Sequence, residues 1–235
     1  AAASAGGGAF YSHQIEQSCR FDSASSSFLE ADFDGNSGQT AYTISFWIKR
    51  GNLFTGNDQV IMGNSGGWAN WHFDNTDSNL EGVNQRGQST PGALRDTGGW
   101  NHIFIELTGG TETFYLNGNS IKSHSISGNT AVNSTVAHGI GCRSGTSSNS
   151  FGGYMAEVLL FDGTAYDPTD VAESKNGVWI PKDPSSLTFG TNGVHLKFEN
   201  ASDLGNDSSG NNNDFTANNM GADHQVLDSP TIGTG

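Results

Sequence analysis

Residues 42–49 read Tyr42-Thr43-Ile44-Ser45-Phe46-Trp47-Ile48-Lys49, and their alternation decides the fold class. Successive side chains of a strand point to opposite faces, so Tyr42, Ile44, Phe46 and Ile48 gather on one side. Thr43, Ser45 and Lys49 share the other, with Trp47 among them. The segment is expected to be a half-buried antiparallel strand.

The same two-residue rhythm recurs outward from it, in short runs at 59–63, 70–74, 100–107, 111–116, 136–141, 153–161 and 194–198. The run 111–116 leads into Asn117-Gly118, a dipeptide that favours a type I′ hairpin turn, so 120–124 should return beside it. Gly-Gly pairs at 66–67, 98–99, 109–110 and 152–153 punctuate other connections. Only Asp167 to Glu173 looks helical, with Asp167 as the cap and Pro168 in the first helical position. Roughly ten short strands and one short helix predict an all-β fold, an antiparallel β-sandwich. No repeat of fixed period is visible, which disfavours a solenoid or propeller. Three regions are expected: a flexible Gly/Ala/Ser-rich arm at 1–16, a sandwich at 17–200, and an Asn/Asp-rich segment at 201–235. That last segment should wrap the sandwich, anchored by Phe215, Val226 and Leu227, and end loosely.

Hydrophobic residues make up only 34%, and glycine accounts for 33 positions, but the 14 Phe, 5 Trp and 5 Tyr concentrate in the strand-like runs. A core can therefore form. The formal net charge of −14 repels phosphate backbones and argues against a nucleic-acid partner. No apolar stretch approaches the ~20 residues that span a bilayer, so no membrane insertion is expected. Ala1 to Ala9 lacks the basic and apolar regions of a signal peptide, and the chain reads as a processed product or a fragment. Cys19 and Cys142 are too few for a disulfide scaffold; buried free thiols are expected, with a single bridge between them as the alternative, since sequence does not show their Cα separation.

Three segments then occur in a telling order: residues 42–49, Trp100-Asn101-His102-Ile103 leading to Phe114-Tyr115-Leu116-Asn117-Gly118, and Phe151-Gly152-Gly153-Tyr154-Met155-Ala156-Glu157-Val158. Together they resemble the laminin-G-like, concanavalin A-like lectin/glucanase superfamily. Phe161-Asp162-Gly163, Gly177-Val178-Trp179-Ile180-Pro181-Lys182 and Asp207 to Thr216 resemble, more narrowly, laminin-G-like structural proteins of tailed bacteriophages. The resemblance covers about residues 17–230. It implies a jelly roll of two antiparallel sheets, used for display, attachment or glycan recognition.

Candidate chemistry is sparse. Retaining glucanases need two carboxyl groups about 5–5.5 Å apart, and the nearest match, Glu30-Ala31-Asp32-Phe33-Asp34-Gly35, has glycine where the second Glu belongs. Gly63-Asn64-Ser65-Gly66-Gly67 spells G-x-S-x-G, but an aromatic strand follows instead of a helix, so it reads as a turn. No zinc spacing is present, and His102 reads as a hydrogen-bonded structural histidine. Between residues 203 and 214, Asp203, Asn206, Asp207, Asn211, Asn213 and Asp214 supply the hard oxygens of a calcium site. The same residues would also suit an Asx-turn loop bonding its own backbone. Trp68, Asn70, Trp71, His72, Asn75 and Asp77 form the candidate glycan cluster, with rings to stack a sugar and amides or carboxylates for its hydroxyls. Trp71 and Phe73 share one strand face, which core packing also explains.

A non-catalytic role follows: a virion surface protein, as capsid decoration or tail fibre, acting in attachment or assembly. Its expected partners are other virion proteins, copies of itself in a homo-oligomer, and host-surface glycans. The alternative is a secreted bacterial lectin-like module of a larger adhesin. No cofactor is required on either reading, with calcium as the sole candidate.

Overall fold

The computed structural model describes residues 10–33, 35, 39–53, 56–65, 70–82, 94–126, 135–144 and 149–232. In chain order the strands begin with β1 (Ser18–Phe21), β2 (Phe28–Ala31), β3 (Tyr42–Arg50), β4 (Gln59–Asn64), β5 (Asn70–Phe73) and β6 (Leu80–Glu81). Next come β7 (Asn101–Thr108), β8 (Thr111–Leu116), β9 (Asn119–Ser125), β10 (His138–Ile140) and β11 (Gly153–Asp162). The last are β12 (Ala172–Lys175), β13 (Val178–Pro181), β14 (Val194–Leu196), β15 (Thr216–Asn218) and β16 (Gln225–Val226).

The larger sheet runs β16-β1-β11-β3-β7-β8-β9, with β14 also pairing β11; the smaller runs β15-β2-β10-β4-β5-β6. All these strand pairs are antiparallel. The rhythm of β3 is realised: Tyr42, Ile44, Phe46 and Ile48 enter the core between the sheets, meeting Leu29, Ile61, Met62, Trp71, Phe73 and Ile140. The predicted sandwich is the observed one. No helix among the described residues is long and apolar enough to cross a membrane.

Trp47 and its neighbours cover the other side of the larger sheet, where a second layer lies. Phe104, Leu159 and Phe161 pack there against Val171 and Phe189, and Trp47 and Ala156 against Ile15 and Ala172. The helix is shorter than expected. Asp167 caps it by accepting from Thr169 N, but α1 (Pro168–Val171) ends before Ala172, which already pairs with Pro181 in the hairpin of β12 and β13.

Both ends of the described chain are fastened to the sandwich. Ile15 is buried, its N–H donates to Thr231 Oγ1, and its carbonyl accepts from the Ser229 and Thr231 hydroxyls. The arm expected to be loose through residue 16 is thus packed from Phe10, whose carbonyl accepts from Lys175 Nζ. In the tail, β15 pairs with β2 and β16 with β1, and Leu204 and Phe215 enter the core. Leu227, expected as an anchor, is 68% exposed, because its neighbour Val226 takes the pairing position opposite Ser18. Cys19 and Cys142 are free and buried. Burial pushes both thiols up, Cys142 to about 12, which leaves them uncharged and inert.

Candidate functional site

Of the residues expected to form a glycan cluster, those that the structure describes face different ways. Trp68 and the side chain of Asn70 lie outside the described residues. Trp71 is 1% exposed and donates its indole N–H to Glu112 inside the core, so it cannot stack a sugar. His72 points to the opposite face of β5 and lies 3.4 Å from Glu81 Oε2, also buried. Asn75 and Asp77 sit in the turn beyond, where Asn75 N donates to Asp58 and Asp77 accepts from Asn79 N. Asp58, His72 and Asp74 do offer ligand atoms within 4.8 Å of one another, the one such group among the described residues. Both carboxylates already accept turn N–H groups, however.

In the candidate calcium loop the oxygens are similarly occupied. Asp207 accepts from His195 N, Ser209 N, the Ser209 hydroxyl and Asn213 N, and Asp214 accepts from Asp207 N. Asn211 and Asn213 turn their amide N–H groups onto the carbonyls of Gly190, Thr191 and Gly193. Asp203 and Asn206 stay exposed at the rim. This is the Asx-turn pattern, which fastens the tail to the loop before β14. A calcium ion would have to compete with those bonds.

A cleft of about 570 Å³ opens instead on the outer side of the larger sheet. Its walls are Trp47, Trp100, Asn117-Gly118-Asn119, Ser174 and Gly177-Val178-Trp179. The local sequence explains each wall. Asn117 and Gly118 both have positive φ, 48° and 78°, as a type I′ turn requires. Gly118 is needed twice over, because a Cβ there would stand 2.6 Å from Trp179 Cη2. Asn117 Oδ1 accepts from His102 N at 2.7 Å, which locks the hairpin to β7.

The indoles are held from behind. Trp179 Nε1–H donates to His102 Nδ1 at 3.1 Å, and since an indole only donates, His102 Nε2 must carry the proton, 2.8 Å from Ser45 Oγ. Burial drives the His102 pKa down to about 3, against the pull of Glu157, so this ring stays neutral. Trp100 donates to Asp228 Oδ1 at 3.2 Å, and Asp228 also pairs with Lys49. Both ring N–H groups are therefore consumed internally. Trp100 and Trp179 stay half-exposed, with Asn119, Ser174 and Val178 exposed on the rim. Neither Trp100 nor Trp179 was foreseen as a site residue.

Close by, Glu157 sits in the bulge of β11 with φ 46°, in the left-handed region. Its carboxylate lies 2.7 Å from His13 Nε2 and 3.3 Å from His195 Nε2. Burial pushes the Glu157 pKa up, but the bonds and charges of His13 and His195 outweigh it and hold it below 4.5. For His13, burial lowers the pKa; the bond and charge of Glu157 and the charge of Asp183 raise it, Lys197 opposes them, and the result lies above 6.5. The signs define a window. The His13 contribution is complete below pH 6.5 and fades as pH rises through its raised pKa. The Glu157 contribution is present above pH 4.5 and fades on acidification through its lowered value. The melting-temperature gap between wild type and His13→Ala should thus be widest between these values and shrink toward alkaline pH. A hydrogen bond to a charged group is worth about 1.5–3 kcal/mol. A gap that widened with rising pH would contradict the pairing.

A two-sheet antiparallel sandwich with an aromatic cleft on its outer face is the architecture that lectin-type domains and glucanases share. The model of the concanavalin A-like lectin/glucanases superfamily matches residues 23–172, and the chain belongs to that family. No curated protein matches it in sequence. Among solved structures, a presumed carbohydrate-binding protein of Bacteroides ovatus superposes with a TM-score of 0.63 at 16% identity, covering 88% of this chain and 59% of that one. The chain thus spans little more than half of that protein. A heptameric SAP-like pentraxin of Limulus polyphemus aligns at TM-score 0.47 and 15% identity, covering 66% of this chain and 80% of the pentraxin. Mouse laminin α1 domains LG4-5 align at TM-score 0.44 and 14% identity, covering 63% and 45% respectively.

Proposed function

We propose that this domain binds carbohydrate without cleaving it, in the cleft between Trp100 and Trp179. The observation that carries the reading is a pair of half-exposed indoles whose N–H groups are spent on Asp228 and His102. Their rings are fixed before any ligand arrives, which limits the ordering cost of binding. The cleft volume falls in the about 300–1,000 Å³ of small-molecule sites, and exposed Asn119 and Ser174 offer polar atoms for hydroxyls. Family membership and the likeness to the Bacteroides protein support the same class of ligand.

A glycan array followed by calorimetry tests it. Trp179→Ala should weaken binding about 30-fold, the roughly 2 kcal/mol of an aromatic hot spot. Exposed Asn119→Ala should weaken it without disturbing the packing. Absence of any ligand on a broad array, or wild-type affinity in a folded Trp179→Ala, would refute the reading.

The setting is a separate question. The resemblance of residues 177–182 and 207–216 to phage structural proteins favours display on a virion surface, in contact with other virion proteins and with copies of this chain. A secreted module of a larger bacterial adhesin is the alternative. Antibody labelling of purified particles separates them: label on the particle supports the virion setting, and its absence removes it.

A further inference from the structure

We infer that the cleft selects uncharged glycans and rejects sialylated, sulfated or uronic-acid ones, an inference that rests on the carbohydrate-binding reading above. The wall residues Trp47, Trp100, Asn117, Asn119, Ser174 and Trp179 include no cation and no anion, and the remaining wall positions are glycine and Val178. An acidic sugar entering there would shed water from its charge and find no countercharge, a cost that a desolvated ion does not recover from amides alone.

The cation behind Trp100 is already committed, and Lys175, next to the wall residue Ser174, donates to the Phe10 carbonyl. Lys49 Nζ forms an ion pair with Asp228 Oδ2 and stands 5.9 Å from the centroid of the Trp100 ring and 5.5 Å from that of Tyr154. The same Asp228 accepts the Trp100 N–H, so drawing Lys49 away to meet an acidic sugar would leave a partly buried carboxylate without its counter-ion beside the indole. His102 cannot supply a charge either, since it is buried and its Nδ1 accepts the Trp179 N–H. At longer range the net charge of −14 repels anions.

What the cleft does offer is ring surface. With both indole N–H groups turned inward, the exposed parts of Trp100 and Trp179 are apolar, and they suit the C–H face of a neutral pyranose. Asn119 and Ser174 at the rim both donate and accept, which matches hydroxyls rather than carboxylate or sulfate.

The test compares neutral oligosaccharides with their sialylated, sulfated and uronic-acid counterparts by calorimetry, at low and at high salt, with Trp179→Ala alongside. Neutral glycans should bind through Trp179, with affinity changing less than about twofold between the salts, because no exposed ion pair is there to be screened. Acidic counterparts should bind at least roughly tenfold more weakly, the cost of about 1.4 kcal/mol for an unpaired charge. Trp179-dependent binding that prefers acidic glycans, or that falls steeply with salt, overturns this inference and leaves carbohydrate binding standing. Failure of every glycan to bind overturns the broader reading itself, and this inference with it.

Discussion

Glu112→Ala is expected to lower the melting temperature by roughly 6–20 °C, the equivalent of about 3–5 kcal/mol for breaking a buried charged network. Glu112 lies on β8, is fully buried, and points across the core toward the smaller sheet. Its Oε1 accepts the Tyr42 hydroxyl at 2.5 Å and the Trp71 indole N–H at 2.9 Å. Its Oε2 lies 3.0 Å from Nε2 of His124, its cross-strand neighbour. Alanine leaves two buried donors without an acceptor, each costing about 1–3 kcal/mol. A cavity is left as well. Tyr42 cannot escape by ionising, since burial, the largest cause of its raised pKa, persists in the variant. Calorimetric scans of Glu112→Ala and Glu112→Gln separate acceptor from charge: glutamine keeps an acceptor and should lose less. Near-wild-type stability of the alanine variant would contradict the network.

That network shows where sequence reading succeeds and where it stops. The period of two on β3 assigned Tyr42, Ile44, Phe46 and Ile48 to the core, and the structure agrees, because burial on one face is a property of each strand alone. By the same parity Trp71 and Phe73 share a face, and that face proved to be the inner one. The expected site around Trp71 therefore loses its ring to Glu112, a partner 41 residues away that no local pattern announces.

The cleft was hidden for a related reason. His102 and Trp179 stand 77 residues apart and meet only when the β12–β13 hairpin folds over the outer face. A signal was nonetheless present. Asn176-Gly177 is the same dipeptide as Asn117-Gly118 and also adopts positive φ at both positions, 53° and 81°. Reading Asp167 to Glu173 as one helix obscured it, because the strand after the helix is only four residues long. The Asn/Asp-rich tail was legible in composition alone. Both its uses, as an ion site or as a turn, fit the letters, and the backbone bonds that Asp207 accepts become visible only in the folded chain.

Gly190→Ala should cost about 2–5 kcal/mol, the sum of left-handed strain and overpacking. Gly190 has φ 77°, and a Cβ there would stand 1.9 Å from the carbonyl oxygen of Asp162, the last residue of β11. Neither partner is free to retreat. Asp162 N donates to Phe189 O, and Asn192 N donates to Asp162 Oδ2, so the turn is clamped to the strand end on both sides. From above, Asn211 Nδ2 donates to Gly190 O at 2.7 Å, so a displaced turn also loosens the tail loop. Gly177→Ala provides the comparison, since Gly177 has φ 81° but nothing within 4 Å of its would-be Cβ. It should carry the strain alone, about 1–2 kcal/mol. Urea titrations of the two variants thus isolate the steric part. Gly190→Ala should unfold at the lower urea concentration, and a shared midpoint would mean that the contact between the turn and Asp162 constrains nothing.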